Sequence, residues 1–247
     1  MNDQSIVHDV KAVEGKRVYF GHQSVGTNVL DGVRELLKGR KDLGLKIVEL
    51  DGRPDLTGPF LAESRIGKNG DPRGKCDEFG VRVLGLPGGP PDIAAMKFCY
   101  VDFKKETQVD SLFSYYRAMV DSLRAKAPGV TIVHVTVPLT VRTPGWKKFV
   151  KKLLAKEESS DILNSRRCAF NEMVRRQYNG EPIFDLEVVE STHPDGSREE
   201  FLFEGKPVYA LIDELSDDGA HLNETGRTLA AREFLKTLAA AAGRRAQ

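Results

Sequence analysis

Arg17-Val-Tyr-Phe-Gly-His-Gln-Ser-Val-Gly26 is the stretch of sequence that decides the fold of this chain. Its apolar start, Val18 to Phe20, predicts a short buried β-strand. The residues that follow Ser24 have the pattern of a helix that begins at about Thr27. A strand that leads directly into a helix is the first half of a βαβ unit, the building block of parallel sheets. The segment therefore predicts a parallel sheet and places Ser24 at a strand-to-helix junction.

Apolar runs and helical patterns alternate along the rest of the chain. The predicted strands are Val18 to Phe20, Lys46 to Glu49, Ile93 to Tyr100, Val130 to Val137 and Ile183 to Leu186. The predicted helices are, approximately, Thr27 to Lys38, Val109 to Lys126, Asp161 to Tyr178 and Asn223 to Ala241. This alternation predicts an α/β protein with a three-layer α/β/α arrangement. We expect a doubly wound parallel sheet of about five strands in flavodoxin-like order, with the site at their carboxyl ends.

Three segments do not fit a simple βαβ repeat. Asp51 to Pro91 is rich in Gly, Pro and charge and is longer than an ordinary connection, which predicts a functional loop that lines the site. Thr143 to Ser160 is either a lid or a solvated amphipathic helix, and its pattern favours the helix. Glu199 to Ala210 predicts a β-hairpin with Glu204-Gly205 at its turn.

Length and composition limit the class of protein. The chain has 247 residues, of which 40% are hydrophobic and 30% are charged. This predicts a single domain over 1–247 with its core at 16–241. The formal net charge of +1 gives no reason to expect a nucleic-acid partner. Three cysteines, Cys76, Cys99 and Cys168, are an odd number without metal-ligand spacing, so isolated thiols are expected and one disulfide stays open.

The N-terminal residues, Met1 to Val10, are polar and lack the basic start and apolar core of a signal peptide. No run approaches the roughly 18 apolar residues that a membrane span needs. The sequence as given predicts a cytoplasmic protein without a membrane span, or a periplasmic or secreted one if a leader has been removed. It leaves the oligomeric state open.

The segment D-G-A-H-L-N-E-T-G, which begins at Asp218, carries the other residues needed for nucleophilic catalysis. A serine hydroxyl needs an imidazole to take its proton, and a carboxylate to orient that imidazole. His221 has Asp218 three residues before it and the start of a helix after it. His193 has Glu190 at the same spacing, but its sequence context predicts a turn and makes it the weaker candidate.

The serine after the first strand and the motif D-G-x-H-L-N-x-x-G before the last helix resemble the SGNH/GDSL hydrolase superfamily. The similarity spans Val18 to Leu238. The resemblance implies a three-layer α/β/α fold and hydrolysis of ester or acetyl groups on small molecules or glycans. It implies Ser24 as nucleophile, His221 as base and Asp218 as the acid that orients the base. It implies no metal and no organic cofactor.

Two blocks of this chain depart from the family pattern. The first block is usually Gly-Asp-Ser, whereas this chain has Gly21-His-Gln-Ser24. The third block, Gly-x-Asn-Asp, is replaced by Lys97 to Asp102, so the usual side-chain donor to the oxyanion is missing. Such a donor stabilises the transition state by roughly 3 to 4 kcal/mol. We expect the backbone N–H of Ser24 to be joined in the oxyanion hole by groups of Gly67, Asn69 and Gly70.

Five residues are candidates for contact with the substrate: His22, Gln23, Lys97, Tyr100 and Trp146. An equal alternative for His22 and Gln23 is that they fix the turn by hydrogen bonds. A buried ion pair with Asp102 is favoured for Lys97, because buried charge is seldom left unpaired. Tyr100 is expected to pack rather than to catalyse.

The sequence therefore predicts an ester hydrolase, of the esterase, lipase or carbohydrate deacetylase kind, that works through an acyl-enzyme. The expected substrate is a small-molecule or glycan ester, and an acyl or acetyl group on a sugar is preferred. Two alternatives stay open. One is an O-acetyltransferase with the same triad, and the other is a catalytically silent protein that binds a carbohydrate or a protein.

Overall fold

The computed structural model describes residues 3–52, 56–142 and 160–244. Strand β1, Arg17–His22, lies inside the sheet between β3, Phe60–Arg65, and β4, Ile93–Met96. Every residue of β1 after the first is buried, as expected for a strand covered on both faces. Helix α2, Ser24–Leu37, begins just after the strand ends, so Ser24 lies at the junction that the sequence predicts.

Within the described residues, six parallel strands form the central sheet in the order β2-β3-β1-β4-β5-β6. The remaining three strands are β2, Ile47–Glu49, β5, Thr131–Val135, and β6, Ile183–Phe184. The predicted α/β class and doubly wound parallel sheet are confirmed. Five neighbouring strands of the sheet, in the order β3-β1-β4-β5-β6, follow the flavodoxin-like order. Strand β2 lies beyond β3 and extends the sheet at that edge.

The segment Asp51 to Pro91 is not one long loop. It contains β3 and helix α3, Pro72–Leu84, whose N-cap Asp71 accepts a first-turn N–H. The loop prediction is wrong. The sequence does not reveal β3, because its polar residues Glu63 and Ser64 interrupt the apolar pattern of a strand. Both side chains are nevertheless buried and hydrogen-bonded within the fold.

Helices cover both faces of the sheet. The helices not yet given are α1, Asp3–Val13, α4, Val109–Lys126, α5, Ser160–Gln177, α6, Leu186–Ser191, and α7, Glu224–Ala242. Helices α1 and α2 pack on α7 over one face, and α3 and α5 pack on α4 over the other. The four helices that the sequence predicts are present, and α4 has the predicted bounds. The three-layer arrangement follows from this division.

Strand β1 divides its side chains between the two helical layers. Val18 and Phe20 lie in the core under α2 and α7, whereas Tyr19 lies in the core under α3 and α4. The Phe20 ring packs against that of Phe234 on α7, with 4.8 Å between centroids. Because side chains of a strand alternate between its faces, this packing fixes the register of β1. The register in turn fixes the position of Ser24.

The segment after α6 forms the predicted hairpin. Strand β7, Glu200–Phe203, pairs antiparallel with β8, Lys206–Tyr209. Glu204 and Gly205 at the turn have positive φ angles of 50° and 76°, as a type I′ turn requires.

Among the helices of the described ranges, none is long and apolar enough to cross a membrane. The predicted lid or helix, Thr143 to Ser160, lies outside the described residues except for Ser160.

Candidate active site

Ser24 is the first residue of α2 and is half-buried. Gln23 before it has extended backbone and makes no side-chain cap. The first N–H groups of a helix have no partner inside the helix, and that of Ser24 makes no hydrogen bond to the described residues. Gly26 allows this turn, because a Cβ there would lie 2.4 Å from the Cβ of His22. The junction thus presents a hydroxyl and an open N–H together.

Asp218 and His221 form a close pair in the loop before α7. The Nδ1 of His221 lies 2.6 Å from Oδ2 of Asp218, and the backbone N–H of His221 donates to Oδ1 at 2.7 Å. These two bonds, the backbone bond first, hold the pKa of Asp218 well below its usual range. An ionised carboxylate at Nδ1 keeps the proton on that nitrogen and leaves Nε2 as the basic atom.

A hydrogen bond joins helix α2, which begins at Ser24, to the loop that carries His221. The backbone N–H of Leu222, which follows His221, donates to Oδ1 of Asn28 at 3.1 Å. Asn28 lies one helical turn after Ser24, so both side chains project from the same face of α2. The loop of His221 therefore lies against the helix that begins at Ser24, at the carboxyl edge of the sheet.

The turn after β4 lies against both of these residues. The Tyr100 ring packs edge-on against the His221 ring, with 5.7 Å between centroids. The Sγ of Cys99 lies 3.9 Å from Oγ of Ser24. Within the described residues, no hydrogen bond joins Ser24 to His221. Catalytic hydrogen bonds are often long until the substrate binds, so Ser24 stays the predicted nucleophile.

Two of the three loop residues predicted as oxyanion donors already use their backbone N–H groups inside the protein. The backbone N–H of Gly67 donates to Oε2 of Glu78 at 2.8 Å, and that of Gly70 donates to Oδ1 of Asp102 at 2.8 Å. Both amides are therefore occupied by carboxylates. Oδ1 of Asn69 accepts from the ammonium of Lys75, while its NH₂ makes no hydrogen bond to the described residues. Only Asn69 of these three loop residues offers an open donor.

His22 and Gln23 are engaged inside the fold. Nε2 of His22 lies 2.8 Å from Oε2 of Glu63, and its side chain is buried. Nε2 of Gln23 donates to the carbonyls of Ile66 and Gly67 at 2.9 and 3.0 Å. These contacts match the alternative in which the two residues fix the turn. His22 is not exposed for contact with a substrate.

The predicted ion pair between Lys97 and Asp102 is wrong. Asp102 instead accepts two hydrogen bonds from Lys75 of α3, at 2.8 and 2.6 Å. The ammonium of Lys97 donates to the carbonyl of Phe98 at 2.9 Å, and burial lowers the pKa of Lys97 to about 8. Lys75 was not a sequence candidate, because it lies in a segment whose pattern predicts a loop. Lys97 is fully buried and is not exposed for contact with a substrate.

The rival pair Glu190 and His193 does not form. Oε2 of Glu190 accepts the backbone N–H of Leu139 at 2.6 Å, and His193 pairs with Glu199 at 3.1 Å. Burial raises the pKa of Glu190 to about 8. Glu190 is therefore a buried carboxyl of the interior and not the partner of a catalytic base.

Two further expectations concern Trp146 and the cysteines. Trp146 lies outside the described residues. Cys76 and Cys99 are buried, Cys168 is half-buried, and all three are free thiols. The role of Asn28 beside the candidate site could not be predicted, because an Asn inside a helix has no distinguishing sequence signal.

Comparison with protein-family models and with curated proteins finds no match to this sequence. Comparison with solved structures finds similar folds. A protein from Streptococcus pneumonia described as a platelet activating factor has a TM-score of 0.53 and 15% identity, over 96% of this chain and 90% of that chain. A protein from Desulfitobacterium hafniense DCB-2 described as a lipolytic protein of the G-D-S-L family has a TM-score of 0.50 and 10% identity, over 90% and 98%.

At these identities the similarity concerns the fold. It extends over nearly the whole length of both chains in each comparison. This similarity of fold agrees with the resemblance seen in the sequence around Ser24 and in the motif from Asp218 to Gly226. The chain has the three-layer α/β/α fold of the SGNH/GDSL hydrolase superfamily.

Proposed function

We propose that this chain is a serine-dependent ester hydrolase, with Ser24 as nucleophile, His221 as general base and Asp218 as the acid that orients it. The observation that carries the proposal is the hydrogen bond from Leu222 to Asn28, which holds the histidine loop on the helix of the serine. The ionised Asp218 at Nδ1 gives His221 the tautomer that a general base needs.

In the proposed reaction, Oγ of Ser24 attacks the carbonyl carbon of the ester while Nε2 of His221 takes the hydroxyl proton. The C–O bond to the alcohol then breaks, and His221 returns the proton to the departing alcohol oxygen. A water molecule attacks the acyl-enzyme with the same base. The acid leaves, and the Ser24 hydroxyl is restored.

The negative charge that develops on the carbonyl oxygen needs donors. The open N–H of Ser24 lies at the positive end of α2, where the helix dipole favours negative charge. The NH₂ of Asn69 is the second candidate, because Lys75 holds the carbonyl end of that amide. The substrate class that we propose, an acyl or acetyl group on a small molecule or glycan, rests on the family resemblance.

Hydrolysis of p-nitrophenyl acetate and labelling by a fluorophosphonate test this proposal. Ser24→Ala and His221→Ala should each lower kcat/KM by at least about 1,000-fold in folded protein. Ser122→Ala, at an exposed serine of α4, is the control and should retain activity. Mass spectrometry should locate the label on Ser24. Full activity of Ser24→Ala would show that another residue is the nucleophile.

A second candidate function is binding without turnover. The contact of Ser24 with the Cys99 thiol, together with the occupied amides of Gly67 and Gly70, supports it. This alternative predicts neither hydrolysis of p-nitrophenyl acetate nor labelling of Ser24. Turnover that both active-site variants abolish would exclude it.

A further inference from the structure

A cavity of about 280 Å³ opens beside the loops that follow β3 and β4. The residues that line it include Gly70, Asp71, Arg73, Asp102, Lys104 and Gln108. It lies at the carboxyl edge of the sheet, where α/β proteins bind their ligands. Two of its side chains are cationic, and the way in which each is held indicates what the cavity binds.

Arg73 is held by neutral groups. Its Nη2 donates to Oγ of Ser111 at 2.8 Å, and its guanidinium lies 5.1 Å from the centre of the Tyr115 ring. Within the described residues it makes no ion pair with a carboxylate. A guanidinium fixed in this way offers its remaining N–H groups to the cavity and loses little side-chain freedom when a ligand binds.

Lys104, in the turn that follows β4, also lines the cavity. Its backbone N–H donates to Oγ1 of Thr107 at 2.8 Å, and the N–H of Thr107 donates back to the Lys104 carbonyl at 3.1 Å. This closed turn places the ammonium 3.9 Å from the position that a Cβ on Gly70 would occupy. Among the described residues, no carboxylate forms an ion pair with it.

The two carboxylates of the cavity are already engaged. Asp102 is buried and accepts from Lys75, from the N–H of Gly70 and from the N–H of Cys99. Oδ1 of Asp71 accepts a backbone N–H as the N-cap of α3. Within the described residues neither carboxylate forms an ion pair with Arg73 or Lys104, so these two cations are open to a ligand. Gln108 makes no side-chain cap and adds a neutral donor.

The cavity is linked to the candidate nucleophile through one turn. Oδ2 of Asp102, in its wall, accepts the N–H of Cys99 at 2.7 Å, and the Sγ of Cys99 lies 3.9 Å from Oγ of Ser24. The turn after β4 therefore contributes both to the wall of the cavity and to the surroundings of Ser24.

We infer that the cavity is a subsite for an anionic group of the substrate, a carboxylate or a phosphate, bound by Arg73 and Lys104. This inference deepens the proposed function and rests on it. The ester would then belong to an acidic molecule, such as a sugar that carries a carboxylate or a phosphate. Charge-assisted hydrogen bonds from a fixed guanidinium and an ammonium are the contacts that such groups select.

Anion binding can be measured without turnover. The backbone amide signals of Gly70 and Gln108 are followed by NMR while inorganic phosphate or D-glucuronate is added at constant ionic strength. Saturable shifts are expected, and the tighter of the two ligands identifies the kind of anion. The double variant Arg73→Gln with Lys104→Gln should weaken binding at least about tenfold, since it removes two charge-assisted contacts. Lys126→Gln, at an exposed lysine in the last turn of α4, is the control for loss of a positive charge outside the cavity.

Absence of a saturable shift in the wild-type protein would overturn the subsite. Equal weakening in the double variant and in Lys126→Gln would also overturn it, since it would indicate attraction by net charge alone. Hydrolysis of p-nitrophenyl acetate by the same wild-type sample tests the proposed function separately. Anion binding without hydrolysis, or hydrolysis without anion binding, would therefore show which of the two inferences fails.

Discussion

The backbone N–H of Leu222 donates to Oδ1 of Asn28 at 3.1 Å, although 194 positions separate the two residues in the chain. The bond joins the loop of His221 to the helix that begins at Ser24. Because an N–H can only donate, the Asn28 oxygen must face Leu222, and this fixes the orientation of the amide. We expect this contact to set the distance between the candidate base and the candidate nucleophile.

Asn28→Ala should therefore lower kcat about 10- to 100-fold and leave KM nearly unchanged, because small displacements of a catalytic group carry such costs. Asn28→Asp retains an acceptor for the Leu222 N–H and should recover most of the loss. Hydrogen exchange of the Leu222 amide, which needs no substrate, should become faster in the Ala variant alone. Equal losses in both variants, with unchanged exchange at Leu222, would contradict a positioning role for Asn28.

The fold could be predicted where the pattern is local. In α4, Leu112 and Tyr116 are buried at helical spacing, and its bounds agree with the sequence prediction. Strand β3 could not be predicted, because Glu63 breaks its apolar pattern. That carboxylate is tolerated inside the fold because His22 lies 2.8 Å from one of its oxygens and the guanidinium of Arg34 donates to the other at 2.6 Å.

In the candidate site, too, contacts between residues close in sequence could be predicted and contacts between distant segments could not. Asp218 and His221 lie three residues apart in one loop, so their sequence alone predicts the pair that the structure shows. The engagement of the Gly67 and Gly70 amides could not be predicted. Their partners come from α3 and from the turn after β4, and only the folded chain brings those carboxylates to the loop.

The pair of Lys75 and Asp102 should contribute strongly to stability. Both side chains are 0% exposed, and Lys75→Met would leave a buried carboxylate without its countercharge. We expect the free energy of unfolding, measured in urea, to fall by about 3 to 5 kcal/mol.

The control for this prediction is Lys236→Met. Lys236 forms a partly exposed ion pair with Glu233 at 3.1 Å, and its loss should change stability by less than about 1 kcal/mol. If the two substitutions lowered the free energy of unfolding equally, burial of the Lys75–Asp102 pair would not increase its contribution to stability.

Glu190 should make stability depend on pH. Burial raises its pKa from 4.5 to about 8, so the folded protein keeps a proton that the unfolded chain releases in this window. The stabilisation is fully present below the unfolded pKa and is lost as pH rises through the folded pKa. The free energy of unfolding should therefore fall between these pH values, by at most about 5 kcal/mol for this group.

Glu190→Gln keeps an acceptor for the backbone N–H of Leu139 and removes the ionisation. Urea unfolding at pH 5 and at pH 8 should show a smaller decrease for this variant than for the wild-type protein. The same decrease in both proteins would assign the pH dependence to other groups.

Asp218→Asn tests the role of the carboxylate at Nδ1 of His221. The carboxylate accepts the Nδ1–H at 2.6 Å, whereas an Asn amide can donate to Nδ1 and so favour the tautomer that cannot act as base. We expect kcat for p-nitrophenyl acetate to fall about 100-fold or more. The loss should be below the roughly 10⁴-fold cost known for a buried triad aspartate, because the Asp218 side chain is 56% exposed and water can replace part of its effect.

Asp217→Asn changes the same charge on the neighbouring exposed residue and should leave kcat within about twofold, since no contact joins Asp217 to the imidazole. Equal losses in the two variants would mean that Asp218 acts only through the net charge of the loop.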